Sequence, residues 1–353
     1  MRGLLLGWLG LIAVAAPAAV PYPVVRPGIV LAFPADQGAH PSFRTEWWYV
    51  TGWLRTTAGE DLGFQVTFFR TRPLVHEANP SRFAARQVLF AHAALSDPAT
   101  GRLLHGERAA REGFGLATAR TGDADIGIRD WRLRRARDGR WMTRVATNDF
   151  TLALNFQPTQ QPLPQGQGGY SRKGPRPEQA SYYYSVPHLR VAGRVRRGDR
   201  LVAVSGEAWL DREWSSDYLA PEAQGWDWTG LNFDDGSALM AFRIRRKGGG
   251  ALWAGGALRR PNGTTIALGP NDVAFRPLAT WRSKATGAVY PVSQEVSVRA
   301  NGRIARWRLV PMFAAQELDS RRSGLPVYWE GAVRTRNGRG YLELTGYDRA
   351  LRM

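Results

Sequence analysis

Three short stretches of this 353-residue sequence set acids among tryptophans. In Trp209-Leu210-Asp211-Arg212-Glu213-Trp214 the two carboxyl groups stand two residues apart. On an extended chain they project to one side, and Arg212 and Trp214 to the other. Neighbouring carboxyls can raise the pKa of one of them, and a carboxylic acid kept protonated in an apolar cavity can act as a general acid. Asp211 and Glu213 are therefore the candidate catalytic pair. The competing reading is a structural ion-pair network with the chain's many arginines. In Glu46-Trp47-Trp48-Tyr49, alternation lets either Glu46 with Trp48 or Trp47 with Tyr49 line a cavity. In Gly225-Trp226-Asp227-Trp228 the two tryptophans oppose Asp227; Tyr182-Tyr183-Tyr184 precedes this stretch and Tyr328-Trp329-Glu330 follows it. Aromatic walls suit long apolar ligands and stabilise a developing cation, although the same residues could simply fill a core. Of the isolated histidines His40, His76, His92, His105 and His188, His92 in FAHAAL is the one expected to look into a cavity. The candidate ligand-binding residues are thus Glu46, Trp48, His92, Tyr182, Tyr184, Arg212, Trp214, Trp226, Asp227 and Trp228.

Other chemistries fall away. With no cysteine there is no thiol nucleophile, disulfide framework or zinc knuckle. There is no G-x-S-x-G elbow, no phosphate-binding glycine loop and no histidine pair at helical metal spacing, so no metal or cofactor is expected. The formal charge of +18 comes from 48 Lys+Arg against 30 Asp+Glu, and only Lys173, Lys247 and Lys284 are lysines. The arginines are scattered rather than gathered on one face, which argues against nucleic acid and for a solvated basic surface. Peripheral contact with an anionic membrane surface is compatible with that charge; oligomeric state is not legible.

The elements that must position these residues read as strands almost throughout. Aromatic and β-branched runs at 46–54, 62–70, 87–95, 150–156, 188–195, 201–209, 226–233, 238–245 and onward alternate with turn signals. Asp138-Gly139, Asp235-Gly236, Asn262-Gly263, Asn301-Gly302 and Asn337-Gly338 are hairpin dipeptides. These features predict an all-β protein, with helix confined to short pieces around 79–86. A Pro- and Gly-rich segment at 157–181 is too long for a plain connection, so it is functional or a linker. A boundary near 200 would leave each half enough strands for a small barrel. Residues 1–19 read as a signal peptide: Arg2, an apolar run from Leu4 to Ala16, then Ala16-Pro17-Ala18. That predicts export to the periplasm or beyond.

The runs HPSFRTEWWYVTGWL, GFQVTFFR, FAHAALSD, SYYYS, GEAWLDREWSS, GWDWTGLNFDDG, YWEGAV and GYLELTGY resemble, in order, the AttH-like family, which contains the carotenoid 1,2-hydratases (hydroxyneurosporene synthases) and many secreted hydrolase-like proteins. The resemblance covers about 38–348. It implies two tandem lipocalin-like antiparallel β-barrels, an N-terminal domain over 38–200 and a C-terminal one over 201–353. It also implies acid chemistry near Asp211 to Trp214, in which a terminal C=C is protonated and water captures the cation. Family members usually carry histidine between the two acids; here it is Arg212, which cannot serve as an acid or base near neutral pH. Three functions stay open: hydration or hydrolysis of an elongated apolar, isoprenoid- or lipid-like ligand, non-catalytic carriage of such a ligand, and surface attachment through basic charge.

Overall fold

The computed structural model describes residues 22–352 apart from 75, 76 and 78; the expected signal peptide and His76 lie outside the described residues. The aromatic and β-branched runs form strands because such side chains pack well on a pleated surface. Thirteen strands make the first sheet: β1 (Thr45–Thr56), β2 (Asp61–Thr71), β3 (Val88–Asp97), β4 (Arg102–Arg111), β5 (Ala117–Ala119), β6 (Asp125–Ile128), β7 (Trp131–Arg135), β8 (Trp141–Ala146), β9 (Phe150–Pro158), β10 (Leu163–Pro164), β11 (Tyr170–Arg172), β12 (Ala180–Arg197) and β13 (Arg200–Ser215). Ten make the second: β14 (Ala223–Phe233), β15 (Ala238–Arg246), β16 (Ala251–Arg259), β17 (Thr265–Leu268), β18 (Val273–Arg282), β19 (Val289–Ala300), β20 (Arg303–Pro311), β21 (Glu317–Asp319), β22 (Val327–Thr335) and β23 (Gly338–Thr345).

The order β4-β3-β2-β1-β13-β12-β9-β8-β7-β6-β5 curls until β4 touches β6; the order β17-β16-β15-β14-β23-β22-β20-β19-β18 curls until β16 touches β18. The result is two tandem lipocalin-like antiparallel barrels. Their interiors are filled rather than hollow: Trp48, Phe64, Phe68, Trp131, Trp141, Phe156 and Trp214 pack the first, and Phe275, Tyr290, Val296 and Trp329 the second. A third apolar cluster, with Trp47, Tyr49, Trp53, Trp209, Trp228 and Phe242, lies where the outer faces of the two sheets meet. This explains why β1 is buried continuously from Glu46 to Leu54, on both faces of the strand. Gly63 on β2 marks the closeness of that meeting. A Cβ there would sit 2.7 Å from Ala332 Cβ and 2.7 Å from Tyr341 Oη of the second barrel.

Three expectations need correction. The sheets divide between Ser215 and Ala223, not near 200. β13 belongs to the first sheet, because it pairs with β1 along its length, Asp211 opposite Tyr49 and Glu213 opposite Trp47. No helix forms at 79–86. There Asn79 Oδ1 accepts the Ser81 N–H at 2.9 Å and Ser81 Oγ accepts that of Phe83 at 3.0 Å, so side chains take the donors that a helix would use. Helix among the described residues is limited to the turns Ala35–Gln37 and Arg321–Ser323. All five hairpin dipeptides lie at turns between paired strands, but only Asn301-Gly302 has both residues at positive φ (50° and 74°), as a type I′ turn requires, so the turn type differs at the other four.

Candidate functional site

The meeting of the two outer faces is not complete. A cavity of about 70 Å³, room for a few water molecules, opens between β1, β2, β12 and β13 of the first sheet and β14, β15, β22 and β23 of the second. Its walls are aromatic: Trp47, Tyr49, Phe69, Tyr183, Tyr218, Trp226, Trp228, Phe242 and Tyr328. Into this apolar box project four carboxyl groups, Asp211, Glu213, Glu330 and Glu343, and one ammonium, Lys173.

Alternation along β13 sends Asp211 and Glu213 outward into the cavity. Asp211 Oδ1 accepts hydrogen bonds from Ser185 Oγ at 2.6 Å and Trp209 Nε1 at 2.7 Å; Tyr183 Oη lies 2.6 Å from Oδ2. Trp228 Nε1 donates to Tyr183 Oη at 3.0 Å, which extends the chain across to the second barrel. Burial pushes the Asp211 carboxyl up to about 7, against the lowering effect of those three donors, and the Glu213 charge adds to the rise. Near neutral pH this acid holds a proton that an exposed aspartate would have lost.

Glu213 is neutralised differently. Lys173 Nζ stands 3.0 Å from its Oε1, Ser181 donates to the same oxygen, and Tyr218 also reaches it. Burial draws both partners towards neutrality, raising the glutamate and lowering the lysine, while their mutual attraction opposes it. The ammonium is boxed by the rings of Tyr183 (4.6 Å), Phe242 (4.4 Å) and Tyr218 (5.5 Å). Lys173 comes from the Pro- and Gly-rich segment, which therefore supplies a site residue: β10 and β11 pair along β12 and hold the lysine under the second barrel.

On the opposite wall, Glu330 of β22 and Glu343 of β23 are direct cross-strand partners. Burial, and then the neighbouring carboxyl, push Glu330 well above the usual carboxylate range; burial pushes Glu343 up to about 8.

The remaining predicted residues do not line this cavity. Glu46, Trp48, Arg212, Trp214, Tyr182 and Tyr184 occupy the alternate positions and point into the first barrel. There Arg212 and Arg70 both donate to Glu46, and Arg212 lies 4.0 Å from the Trp48 ring and 5.0 Å from that of Trp214. Burial alone would raise the Glu46 carboxyl, but the two guanidinium charges outweigh it and hold it far below the ordinary range. Tyr182 Oη accepts from Arg26 N at 3.0 Å, and Tyr184 Oη donates to Asp36 O at 3.4 Å. Asp227 points into the second barrel, paired with Arg243, with Arg245 at 3.0 Å and with Tyr347. His92 sits behind the cavity wall, its Nδ1 2.7 Å from Tyr328 Oη; burial pulls its pKa down to about 3, so it is a neutral brace for that tyrosine. Of the predicted residues, Asp211, Glu213, Trp226 and Trp228 meet at the cavity. Lys173, Tyr183, Tyr218, Glu330 and Glu343 join them without having been singled out as site residues. No group of three or more metal-ligating side chains occurs among the described residues.

Two filled barrels with a carboxyl-rich cavity between them define a tandem lipocalin-like protein of the hydratase-like fold. The family model described as AttH-like matches residues 24–347, and the chain belongs to the AttH-like family. A crystal structure of a candidate AttH from Nitrosomonas europaea is similar over 92% of this chain and 99% of that one, at 52% identity and TM-score 0.85. Kievitone hydratase from Nectria haematococca shares the fold at 14% identity and TM-score 0.68, covering 94% of this chain and 97% of that one. CghA does so at 13% identity and TM-score 0.53, with 94% and 96% covered. No curated protein matches the chain significantly.

Proposed function

We propose that this protein is an acid–base enzyme that adds water to, or removes it from, a carbon–carbon double bond of an apolar ligand whose reacting end enters the cavity between the barrels. The observation that carries this reading is the buried Asp211 carboxyl, protonated near neutral pH and joined to Tyr183, at the wall of an aromatic box. In the forward direction Asp211 gives its proton to one alkene carbon, directly or through the Tyr183 hydroxyl. Water bonds through oxygen to the cationic carbon left behind, and the surplus proton returns to the Asp211 carboxylate. One H and one OH are thereby added across the double bond. Trp226 and Trp228 stabilise the passing cation through their ring faces. Glu213, with Lys173 as its partner, sets a second acid in different surroundings beside Asp211, the asymmetry that acid–base sites use.

The usual family histidine has no bearing on this scheme, since position 212 faces the first barrel's core. A long ligand would leave its tail outside the small cavity; a cleft of about 340 Å³ bordered by Trp53, Trp209, Arg339 and Tyr341 adjoins it through Trp209, the indole that binds Asp211. An isoprenoid- or lipid-like tail suits that arrangement. The apolar run at 1–19 supports the further proposal that the protein works outside the cytoplasm.

Incubating the purified protein with unsaturated isoprenoids in H₂¹⁸O tests the reading. Hydroxylated product carrying the label, absent with Asp211→Asn, is the expected result. Ligand that binds and is recovered unchanged at every pH would reassign the protein as a carrier.

A further inference from the structure

The Glu330–Glu343 wall has no role in that proton transfer, and its chemistry is unusual. Glu330 is 2% exposed; neither of its carboxyl oxygens makes a hydrogen bond of good geometry, although the hydroxyls of Tyr49 and Tyr328 stand beside it. The hydroxyl of Tyr49, which lines the same cavity, faces that carboxyl and likewise makes no hydrogen bond of good geometry. Burial of an unpaired carboxyl is costly, and proteins normally surround such a group with donors. Here the nearest cation is committed elsewhere, Lys173 being paired with Glu213. No lysine or arginine contributes to the electrostatic surroundings of Glu330 or Glu343; their charged neighbours are each other, Asp211 and Glu213. Ring faces flank the pair: Trp228, the cross-strand partner of Glu343, meets Tyr49 of the other sheet edge to face at 5.3 Å, and Trp226 stands against Tyr218 at 5.7 Å. Carboxylates without counter-ions beside ring faces form the recognition chemistry of an organic cation. An anionic ligand group would add like charge and a neutral hydroxyl a single donor, whereas an ammonium supplies several donors together with the counter-charge that no neighbouring residue provides.

We propose that Glu330 and Glu343 form a subsite for a cationic group, a protonated amine, carried by the ligand of this cavity. The subsite deepens the reading of the cavity as a ligand site but does not depend on hydration taking place. An amine nitrogen would sit between the two carboxyls within reach of the Tyr49 hydroxyl, with its hydrocarbon against Trp226 and Trp228. In the empty cavity both acids tend to hold their protons, and an amine would ionise them as it binds; a carboxylate or phosphate would find no counter-charge there, despite the strongly basic character of the chain as a whole.

Benzylamine, benzyl alcohol and benzoate are suitable probes, since they share a ring and differ in charge. Their binding to the full-length protein can be followed by tryptophan fluorescence and by calorimetry. The wild-type protein should bind benzylamine at least about tenfold more tightly than benzyl alcohol and should not bind benzoate detectably. Glu330→Gln and Glu343→Gln keep side-chain volume and remove the charge; each should erase most of the amine preference. The preference should survive Asp211→Asn, which is expected to abolish hydration, so the two proposals fail separately. Equal binding of amine and alcohol by the wild type, or a preference unchanged in both glutamine variants, would overturn the subsite. The wild-type comparison needs no variant, so it holds even if a substitution impairs folding.

Discussion

Asp211→Asn offers a direct test of the buried acid. In the unfolded chain the Asp211 carboxyl titrates near 3.8, and in the folded protein near 7. A difference of about 3 units corresponds to ~4 kcal/mol, at 1.36 kcal/mol per unit. The folded protein keeps the proton where the unfolded chain has released it. This stabilisation is therefore complete below about pH 4 and is lost as pH rises through 7. Asparagine matches the protonated acid in shape, still accepts from Ser185 and Trp209, and cannot ionise. The variant should lack that pH dependence. At pH 4.5 its urea midpoint should equal or fall below that of the wild type; at pH 8.5 it should be higher, the relative gain approaching ~4 kcal/mol. Glu213, Glu330 and Glu343 titrate in both proteins, so most of their contribution cancels in the variant-minus-wild-type difference; loss of the Asp211 charge also eases ionisation of Glu343, which adds to the gain at high pH. Urea unfolding at pH 4.5, 6.5 and 8.5, followed by tryptophan fluorescence, measures it. Stability differences that stay constant across this range would show that Asp211 is ionised throughout, and the proton-donor mechanism would be lost with it.

Other perturbations separate the parts of the molecule. Lys173→Met strands Glu213 without its counter-charge and should cost roughly 3–5 kcal/mol in urea unfolding, with partial recovery in the double variant Lys173→Met/Glu213→Gln. Arg212→His restores the usual family residue but removes a buried partner of Glu46. Stability should fall by about 3 kcal/mol or more while turnover per folded molecule is unchanged. Gly63→Val drives side-chain atoms against Ala332 and Tyr341, and should cost about 1–3 kcal/mol and shift tryptophan emission to the red as the barrels part. If the basic surface serves membrane attachment, binding to vesicles rich in anionic lipid should vanish at 1 M salt; salt-independent binding would exclude that role.

The fold was largely legible because aromatic and β-branched runs ended at turn dipeptides, and β1, β2, β14 and β15 match those runs within a few residues. Strands such as β4 (RLLHGERAAR) and β18 (VAFRPLATWR) escaped notice, since charges and few branched residues blur their alternation. The Asp211/Glu213 pair could be found from its spacing alone. Which side of each strand faced the cavity could not: β1 and β13 are covered on both faces there, so hydrophobicity no longer distinguishes inside from outside. Lumen positions were taken for binding positions for the same reason, a barrel being expected to hold its ligand within. Lys173 was hidden in a segment of prolines and glycines. Glu330 and Glu343, thirteen residues apart, become neighbours only through the β22–β23 register.

Placing the chemistry on the outsides of two solid barrels separates two kinds of selection. Residues that keep each barrel folded, such as Arg212, Glu46 and Asp227, alternate strictly with those that line the cavity, such as Asp211, Glu213 and Trp228. A lineage can therefore exchange the outward set, position by position, to suit a new substrate while both folding units stay intact. Each half, detached, would carry only one wall of the site. Gene fission or domain shuffling would thus dismantle the cavity at once, whereas ordinary point substitution can reshape it gradually.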